Sequence, residues 1–196
     1  YIMNSVIAEE YRGGNLENRH EDAMCILNGD GNVIYSKGEI ENDLIFYRSA
    51  MKPIQAIPAF DTDMEEKYSL ASEEMALFTA SQRGESYHFK SLNSLIEKLG
   101  LEEDALICGE SYPLNEQPKI KYICEGNKKR KLLHNCSGKH LGFLAYSREK
   151  GQSTEDYGEV DHPLQQRIKK EVEILSEYPK EKMAVGKDGC GVPVFG

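Results

Sequence analysis

The chain has 196 residues, enough for one domain with a substantial hydrophobic core. Its net charge of −9 disfavours non-specific nucleic-acid binding, which needs clustered Lys and Arg side chains. Its apolar runs are shorter than the roughly 18 residues of a membrane-spanning helix, and we see no signal peptide. Five widely spaced cysteines without a secretion signal predict a reduced, cytoplasmic protein. The charge and the short apolar runs predict that it binds neither nucleic acid nor membrane.

The first part of the sequence is typical of short antiparallel strands. Strands are predicted at residues 5–11, 22–27 and 32–36. The last two are joined by residues 28–31 (NGDG), a composition typical of a hairpin turn. A further short strand is predicted at residues 44–47, directly before a helix.

Helical patterns dominate the remainder. A short helix limited by Pro58 is predicted after residue 49, and residues 109–126 are predicted to form a loop because they contain Pro113 and Pro118. Strands followed mainly by helices predict an α+β fold, with the helices packed on an antiparallel sheet in a single domain over residues 1–196. Other helices are predicted at residues 72–79, 88–99, 137–150 and 163–178, and a last strand at 183–185.

Ser49 and Lys52 are three residues apart at the predicted strand-to-helix junction. On a helix this spacing places both side chains on one face, so the lysine could reach back to the serine hydroxyl. A desolvated, neutral lysine can accept the proton of a serine nucleophile, and some serine hydrolases carry this S-x-x-K spacing. The alternative is a helix N-cap serine followed by a surface lysine.

Three other polar stretches contain glycine: residues 80–85 (ASQRGE), 134–140 (HNCSGKH) and 186–191 (GKDGCG). Loops of this composition are common locations of binding and catalytic sites. Residues 134–140 are the densest in ligand-type side chains and precede a helix, whose N-terminal N–H groups attract carboxylates.

Cys136 and His140 are four residues apart and could face one side of that helix. With Cys190 they could form a metal site; the alternative is a capping loop around a buried free cysteine. Asp188, in the glycine-rich stretch, could bind an amino group or cap a turn.

Taken together, these stretches resemble the asparaginase II family of the Rhizobium etli thermolabile type, whose members have a serine β-lactamase-like fold. HNCSGKH and DGCGVPV are the most specific motifs, and the resemblance extends from near residue 6 to residue 196. The other matching segments are Arg12-Gly13-Gly14 with Glu17 and His20, RSAMKPIQ at residues 48–55, AS-x-x-GE at 80–85, and His88.

The resemblance implies hydrolysis of L-asparagine to L-aspartate and ammonia by two serine–lysine pairs. Ser49 and Lys52 correspond to the first pair, with Lys52 keeping Ser49 deprotonatable, and Ser81 corresponds to the serine of the second. Ser81 would relay protons or position the amide, and which serine attacks stays open.

The resemblance also implies sites for substrate and metal. Arg48 would bind the substrate carboxylate as a two-pronged donor, and Asp188 would bind the α-amino group. Asn135, His140 and Gly189 are expected to complete the substrate site of a homodimer. Cys136, Lys139 and Cys190 would hold zinc in a positioning or electrostatic role.

The sequence departs from the family in two respects. Gln82 stands where the family usually has histidine, and glutamine cannot carry a proton at neutral pH. The family also continues past residue 196, and its second lysine lies in that continuation. We therefore assign no lysine partner to Ser81 from sequence, and expect little asparaginase activity from these 196 residues alone.

Two other functions are compatible with parts of this pattern. A penicillin-interacting serine hydrolase would share S-x-x-K but requires a K-T-G triad, which does not occur in the sequence. A non-catalytic module that binds an amino acid or zinc would use Arg48, Asp188 and the cysteines without requiring Ser49 and Lys52.

Overall fold

The computed structural model describes residues 5–38, 40 and 44–196. The chain divides into two compact units, Tyr1–Ile45 and Phe46–Gly196. The described hydrophobic core lies in the second unit, as does the cavity considered below. A single domain over residues 1–196 stays a prediction.

The first unit consists of two β-hairpins. Strand β1 (Ser5–Arg12) pairs with β2 (Asn15–Asp22), and β3 (Met24–Leu27) pairs with β4 (Val33–Lys37), both in antiparallel register. The sequence analysis missed most of β2 because its residues (NLENRHED) are almost all polar and show no alternation of apolar and polar side chains. The first hairpin turns at Gly13 and Gly14, both with positive φ, as such a tight connection requires.

The second unit is mainly helical. Its described helices are α1 (Lys52–Phe60), α2 (Met64–Lys67), α3 (Ser72–Ala76), α4 (Ser86–Leu99), α5 (Glu116–Cys124), α6 (Ser137–Glu149) and α7 (Pro163–Ser176). Short 3-10 turns lie at Arg48–Met51, Glu103–Ala105 and Lys131–Leu133.

Two sequence-based expectations about residues 44–126 are wrong. Residues 44–47 form no strand, and helix α5 lies within the predicted loop 109–126. Pro118 is the third residue of α5, where a missing backbone N–H costs nothing. The expected short helix is confirmed: α1 has nine residues and ends two residues after Pro58.

Helix α6 forms the centre of the core and contacts α1, α4 and α7. Eleven of its 13 residues are buried, so it is buried on nearly all sides, with polar as well as apolar side chains in the interior. Gly138 permits this packing: a Cβ atom there would lie 2.2 Å from the Leu77 carbonyl oxygen. Close packing against the segment after α3 therefore fixes the start of α6, where Lys139 and His140 lie.

The chain ends in a hairpin of β5 (Val185–Lys187) and β6 (Pro193–Phe195), with the DGCGV loop between them. The predicted strand 183–185 is thus shifted toward the C-terminus. The α+β expectation is confirmed, although the described residues form three two-stranded sheets rather than one sheet under the helices. The β-lactamase-like fold stays a prediction. Among the described helices, none is both long and apolar enough to cross a membrane.

Candidate active site

A cavity of about 450 Å³ opens where three of the four polar stretches meet in the second unit. Its walls come from the start of α1, the loop before α6 with the first turn of α6, and the β5–β6 hairpin. The lining residues are Phe46, Arg48, Ser49, Lys52, Gln55, His134, Asn135, Cys136, Lys139, Gly186, Lys187, Asp188, Gly189, Cys190 and Val194. Of the sequence-predicted site residues, only Ser81 and His140 are outside this described lining.

Lys52 connects the remaining polar stretch, residues 80–85, to the cavity. The side chain is 2% exposed, and Nζ donates hydrogen bonds to the Ala80 carbonyl (2.8 Å) and to Ser81 Oγ (2.9 Å). Burial lowers the pKa of Lys52, which favours the neutral amine needed by a general base. None of the described hydrogen bonds joins Lys52 to Ser49, so the observed serine–lysine contact spans 29 residues of sequence.

Ser49 and Arg48 lie on the 3-10 turn that leads into α1, and both are exposed to the cavity. Arg48 has a φ of 50°, a left-handed conformation that is strained for a residue other than glycine. Such strain persists where the surrounding structure fixes the backbone, often at functional sites. This turn places the Arg48 guanidinium and the Ser49 hydroxyl in the same part of the cavity wall.

Gln82 joins the loop that contains Ser81 to the loop before α6 through hydrogen bonds. Its Nε2 donates to the carbonyl oxygens of Leu133 (3.0 Å) and His134 (2.9 Å), while its Oε1 accepts from Gly84 N (2.6 Å). The backbone N–H of Gln82 donates to Asn135 O at 3.1 Å. An imidazole could not make all three side-chain contacts, so glutamine serves here as a structural clamp.

Three metal-ligand side chains meet at another part of the cavity. Donor atoms of His134, Cys136 and Cys190 all lie within 4.8 Å of one another, with Cys190 Sγ 3.9 Å from both ring nitrogens of His134. With Zn–S near 2.3 Å and Zn–N near 2.0 Å, tetrahedral zinc holds its ligands about 3.5 Å apart. Two sulfurs and one imidazole at these separations fit zinc in donor type and spacing.

The charge distribution also suits a cation between the sulfurs. A hydrogen bond from Cys190, together with His134 and the positive charges of Lys52 and Lys139, lowers the pKa of Cys136 to about 4. The same hydrogen bond raises the pKa of Cys190, because a second thiolate beside the first is unfavourable. The pair thus carries one negative charge in the absence of metal.

The predicted ligand Lys139 has a different partner. It is 2% exposed, and Nζ donates to Asp188 Oδ2 at 2.6 Å. An ammonium in an ion pair has no lone pair for a metal, whereas His134 lies with Cys136 and Cys190 in the described group of metal-ligand side chains. The sequence analysis included His134 in the dense HNCSGKH motif but did not assign it to the metal.

Asp188 organises the β5–β6 loop. Its Oδ1 accepts from the backbone N–H groups of Cys190 (2.8 Å) and Val192 (3.0 Å), and its other oxygen binds Lys139. Burial alone would raise the pKa of Asp188, but the positive Lys139 and the loop N–H groups outweigh it and lower the pKa. Asp188 is therefore an ionised carboxylate at the cavity wall.

His140 points into the core rather than into the cavity. Its Nδ1 lies 3.0 Å from the Tyr157 hydroxyl, whose oxygen accepts a hydrogen bond from Ile107 N (2.9 Å). Tyr157 O–H is thus free to donate to His140 Nδ1, which leaves the proton of neutral His140 on Nε2. Burial lowers the pKa of His140 well below its ordinary value. The structure brings His134, rather than His140, together with Cys136 and Cys190.

Gln55 also lines the cavity, although the sequence analysis gave it no role. Its position three residues after Lys52 on α1 was the available signal, because that spacing keeps side chains on one helix face. Asn135 and Gly189 lie in the lining, as the predicted substrate site required.

Comparison with known protein families gives one match. The model of the family described as L-asparaginase II matches residues 8–196 of the chain. Among curated proteins, none matches the chain significantly. The family match confirms the resemblance drawn from the four polar stretches.

Proposed function

The chain belongs to the L-asparaginase II family, and we propose that it is an amidohydrolase that converts L-asparagine to L-aspartate and ammonia. The observation that carries the proposal is the buried Lys52, whose Nζ lies 2.9 Å from Ser81 Oγ at a cavity that Ser49 also lines. A small polar amino acid suits the cavity volume of about 450 Å³.

In the proposed reaction, Ser49 Oγ attacks the side-chain carbonyl carbon of asparagine. Its proton passes to the Ser81–Lys52 pair and then to the leaving nitrogen, so that ammonia departs and an acyl-serine ester remains. Water then attacks this ester, giving L-aspartate and restoring the serine. Burial of Lys52 supports this role because a neutral amine can accept the proton.

Charges at the cavity wall match the groups on the substrate α-carbon. Arg48 would bind the α-carboxylate with its planar guanidinium, and Asp188 would accept a hydrogen bond from the α-amino group. Asn135 and Gly189 complete this part of the wall. His140 would act indirectly, by supporting the first turn of α6 from the core.

Zinc would be held by Cys136 and Cys190, with His134 as the third donor. When bound, the metal supplies a fixed positive charge that orients neighbouring groups and favours anionic oxygen. For Lys139 to become a ligand, as the family resemblance implies, it would have to lose both its proton and its bond to Asp188.

The test is ammonia release from L-asparagine by the full-length protein and its Ser49→Ala and Ser81→Ala variants. We expect turnover in the wild type, a loss of at least roughly a thousandfold in Ser49→Ala, and a smaller loss in Ser81→Ala. Stable acylation of Ser49 by penicillin without ammonia release would instead assign a penicillin-interacting hydrolase. Asparagine binding without turnover would indicate a non-catalytic module.

A further inference from the structure

The Gln55 side chain carries a buried hydrogen-bond donor without a partner. Gln55 is 2% exposed and lines the cavity, and its Nε2 makes no hydrogen bond to any residue that the structure describes. Buried side-chain amides are nearly always hydrogen-bonded, since leaving a donor unpaired is unfavourable. An unpaired donor in the wall of a cavity indicates that its acceptor arrives with a ligand.

The surroundings of Gln55 determine where that acceptor must come from. On its inner side the amide borders a gap between α1 and α6, lined by Ala59, Phe78 and Phe143 among others, with approximately 0 Å³ of space for water. Lys139 and Tyr146 also border this gap, but none of the described residues accepts a hydrogen bond from Gln55 Nε2, and the gap has no space for a bridging water. The acceptor for Gln55 Nε2 must therefore come from the cavity.

Gln55 is also held firmly in position. It lies one turn after Lys52 on α1, and α1 packs against α6 and α7 in the core. Side chains three residues apart share a helix face, so the Gln55 amide and the Lys52 ammonium approach the cavity from the same surface. Lys52 and Gln55 therefore form part of the same wall of the cavity.

Because the Gln55 side chain is neutral, it indicates which kind of acceptor it binds. Charged side chains elsewhere in the wall, Arg48 and Asp188, suit the ionic groups of an α-amino acid, whereas Gln55 is neutral and buried. A neutral donor at a position without water suits a neutral carbonyl oxygen, because the bond leaves no charge buried without a partner.

We propose that Gln55 is a specificity-determining residue that donates from Nε2 to the carbonyl oxygen of the substrate carboxamide. The inference rests on the proposed amidohydrolase function, since it names the substrate group that the donor reads. Gln55 thereby distinguishes a carboxamide side chain from an apolar side chain of similar size.

The experiment compares two ligands in the full-length protein. One is L-asparagine, measured in a Ser49→Ala background to prevent turnover; the other is L-2-aminobutyrate, which has the same α-carbon groups and no carboxamide. Calorimetry gives the Kd of each for Gln55, Gln55→Met and Gln55→Glu. Methionine keeps the length of the side chain, and glutamate replaces the donor by an acceptor.

We expect Gln55→Met and Gln55→Glu to weaken L-asparagine binding roughly tenfold, with the Kd of L-2-aminobutyrate changed less than about twofold. The matched control is Gln165→Met: Gln165 is also fully buried with an unpaired amide oxygen among the described residues, but it is outside the described cavity lining. This control should leave the ratio of the two Kd values unchanged.

The outcomes separate this inference from the function on which it rests. Equal weakening of both ligands, or no weakening, in Gln55→Met while the wild type releases ammonia would overturn the role of Gln55 and leave the amidohydrolase intact. Selective weakening in a protein that releases no ammonia would support Gln55 as a carboxamide reader and overturn the proposed reaction. A wild type that does not bind L-asparagine would overturn both.

Discussion

Lys52 and Lys139 are two buried lysines of the same cavity, each 2% exposed, in opposite environments. Lys52 donates to neutral oxygens, those of Ala80 and Ser81. Lys139 donates to the carboxylate of Asp188 at 2.6 Å. Equal burial therefore gives the two amines different chemistry, because the partner decides which protonation state is favoured.

A lysine without a carboxylate partner is suited to exchange protons, and burial lowers the pKa of Lys52 accordingly. A lysine in an ion pair keeps its charge and orders its neighbours, as Lys139 does with the Asp188 loop. Lys52 donates to Ser81 and Lys139 donates to Asp188, although both positive charges act on Cys136. One cavity thus separates proton transfer from charge stabilisation.

Lys52→Met gives the largest expected effect. Methionine fills much of the lysine volume but cannot accept a proton, so kcat for L-asparagine should fall by roughly 10³- to 10⁴-fold. Lys52 bonds to neutral oxygens but its charge also faces Cys136, so its removal should change the Tm little. Ammonia release and the Tm of the same preparation test this, and kcat within tenfold of the wild type would contradict a base role for Lys52.

Asp188→Asn should produce the contrasting result, a loss of stability. Removing the carboxylate leaves the Lys139 ammonium buried and unpaired, which we expect to cost about 3–5 kcal/mol of unfolding free energy. The asparagine side-chain oxygen can still accept from the loop N–H groups of Cys190 and Val192. Urea denaturation measures the loss.

A double variant completes that test. Adding Lys139→Met to Asp188→Asn removes the stranded charge, so stability should partly recover. Additive losses in the double variant would show that the two side chains do not form a coupled pair.

The sequence predicted the components of this cavity better than their contacts. Ser49, Lys52, Cys136 and Cys190 stand in short motifs whose residue types indicate chemistry, and all four line the cavity. The pairing of Lys52 with Ser81 was beyond the sequence, because spacing suggested the neighbouring Ser49. Contacts between distant segments depend on tertiary packing, which local spacing does not encode.

The same limit explains the metal donors and part of the fold. Lys139, Asp188 and His134 all stand in recognisable motifs, but only the tertiary contact between the first turn of α6 and the β5–β6 loop shows that Lys139 bonds to Asp188. Helix α6 could be predicted from sequence almost residue by residue. Strand β2 could not, because its pairing with β1 orders a polar segment that lacks strand periodicity.

Zinc binding distinguishes His134 from Lys139. Equilibrium dialysis of metal-free protein against zinc should show that His134→Ala weakens binding by more than about 100-fold, since losing a direct ligand costs more than the 10–100-fold typical of an outer partner. The Lys139→Met/Asp188→Asn double variant, which strands no charge, should remain within about tenfold of the wild type. A larger loss of zinc affinity in the double variant than in His134→Ala would assign the ligand role to Lys139. If the wild type does not bind zinc, the metal is not part of the site.

Glu74 and Lys98 form a reference ion pair outside the cavity lining, and their substitution should have the smallest effect. The Glu74 carboxylate contacts Lys98 Nζ (2.8 Å) and caps α3 by accepting from Ala71 N (2.7 Å). Burial would raise the pKa of Glu74, but these hydrogen bonds outweigh it and lower the pKa. Glu74→Gln should therefore cost only about 1 kcal/mol at pH 7, because Lys98 retains solvent contact.

The lowered pKa of Glu74 also determines the pH range of this contribution. A carboxyl group with a depressed folded-state pKa stabilises the protein fully above its unfolded value of about 4.5 and loses that contribution as the pH falls through the folded value. The stability difference between wild type and Glu74→Gln should thus be constant near neutrality and shrink below about pH 4.5. Urea unfolding at pH 7, 5 and 4 measures it, and a difference that grows toward acid would show that Glu74 is protonated in the folded protein.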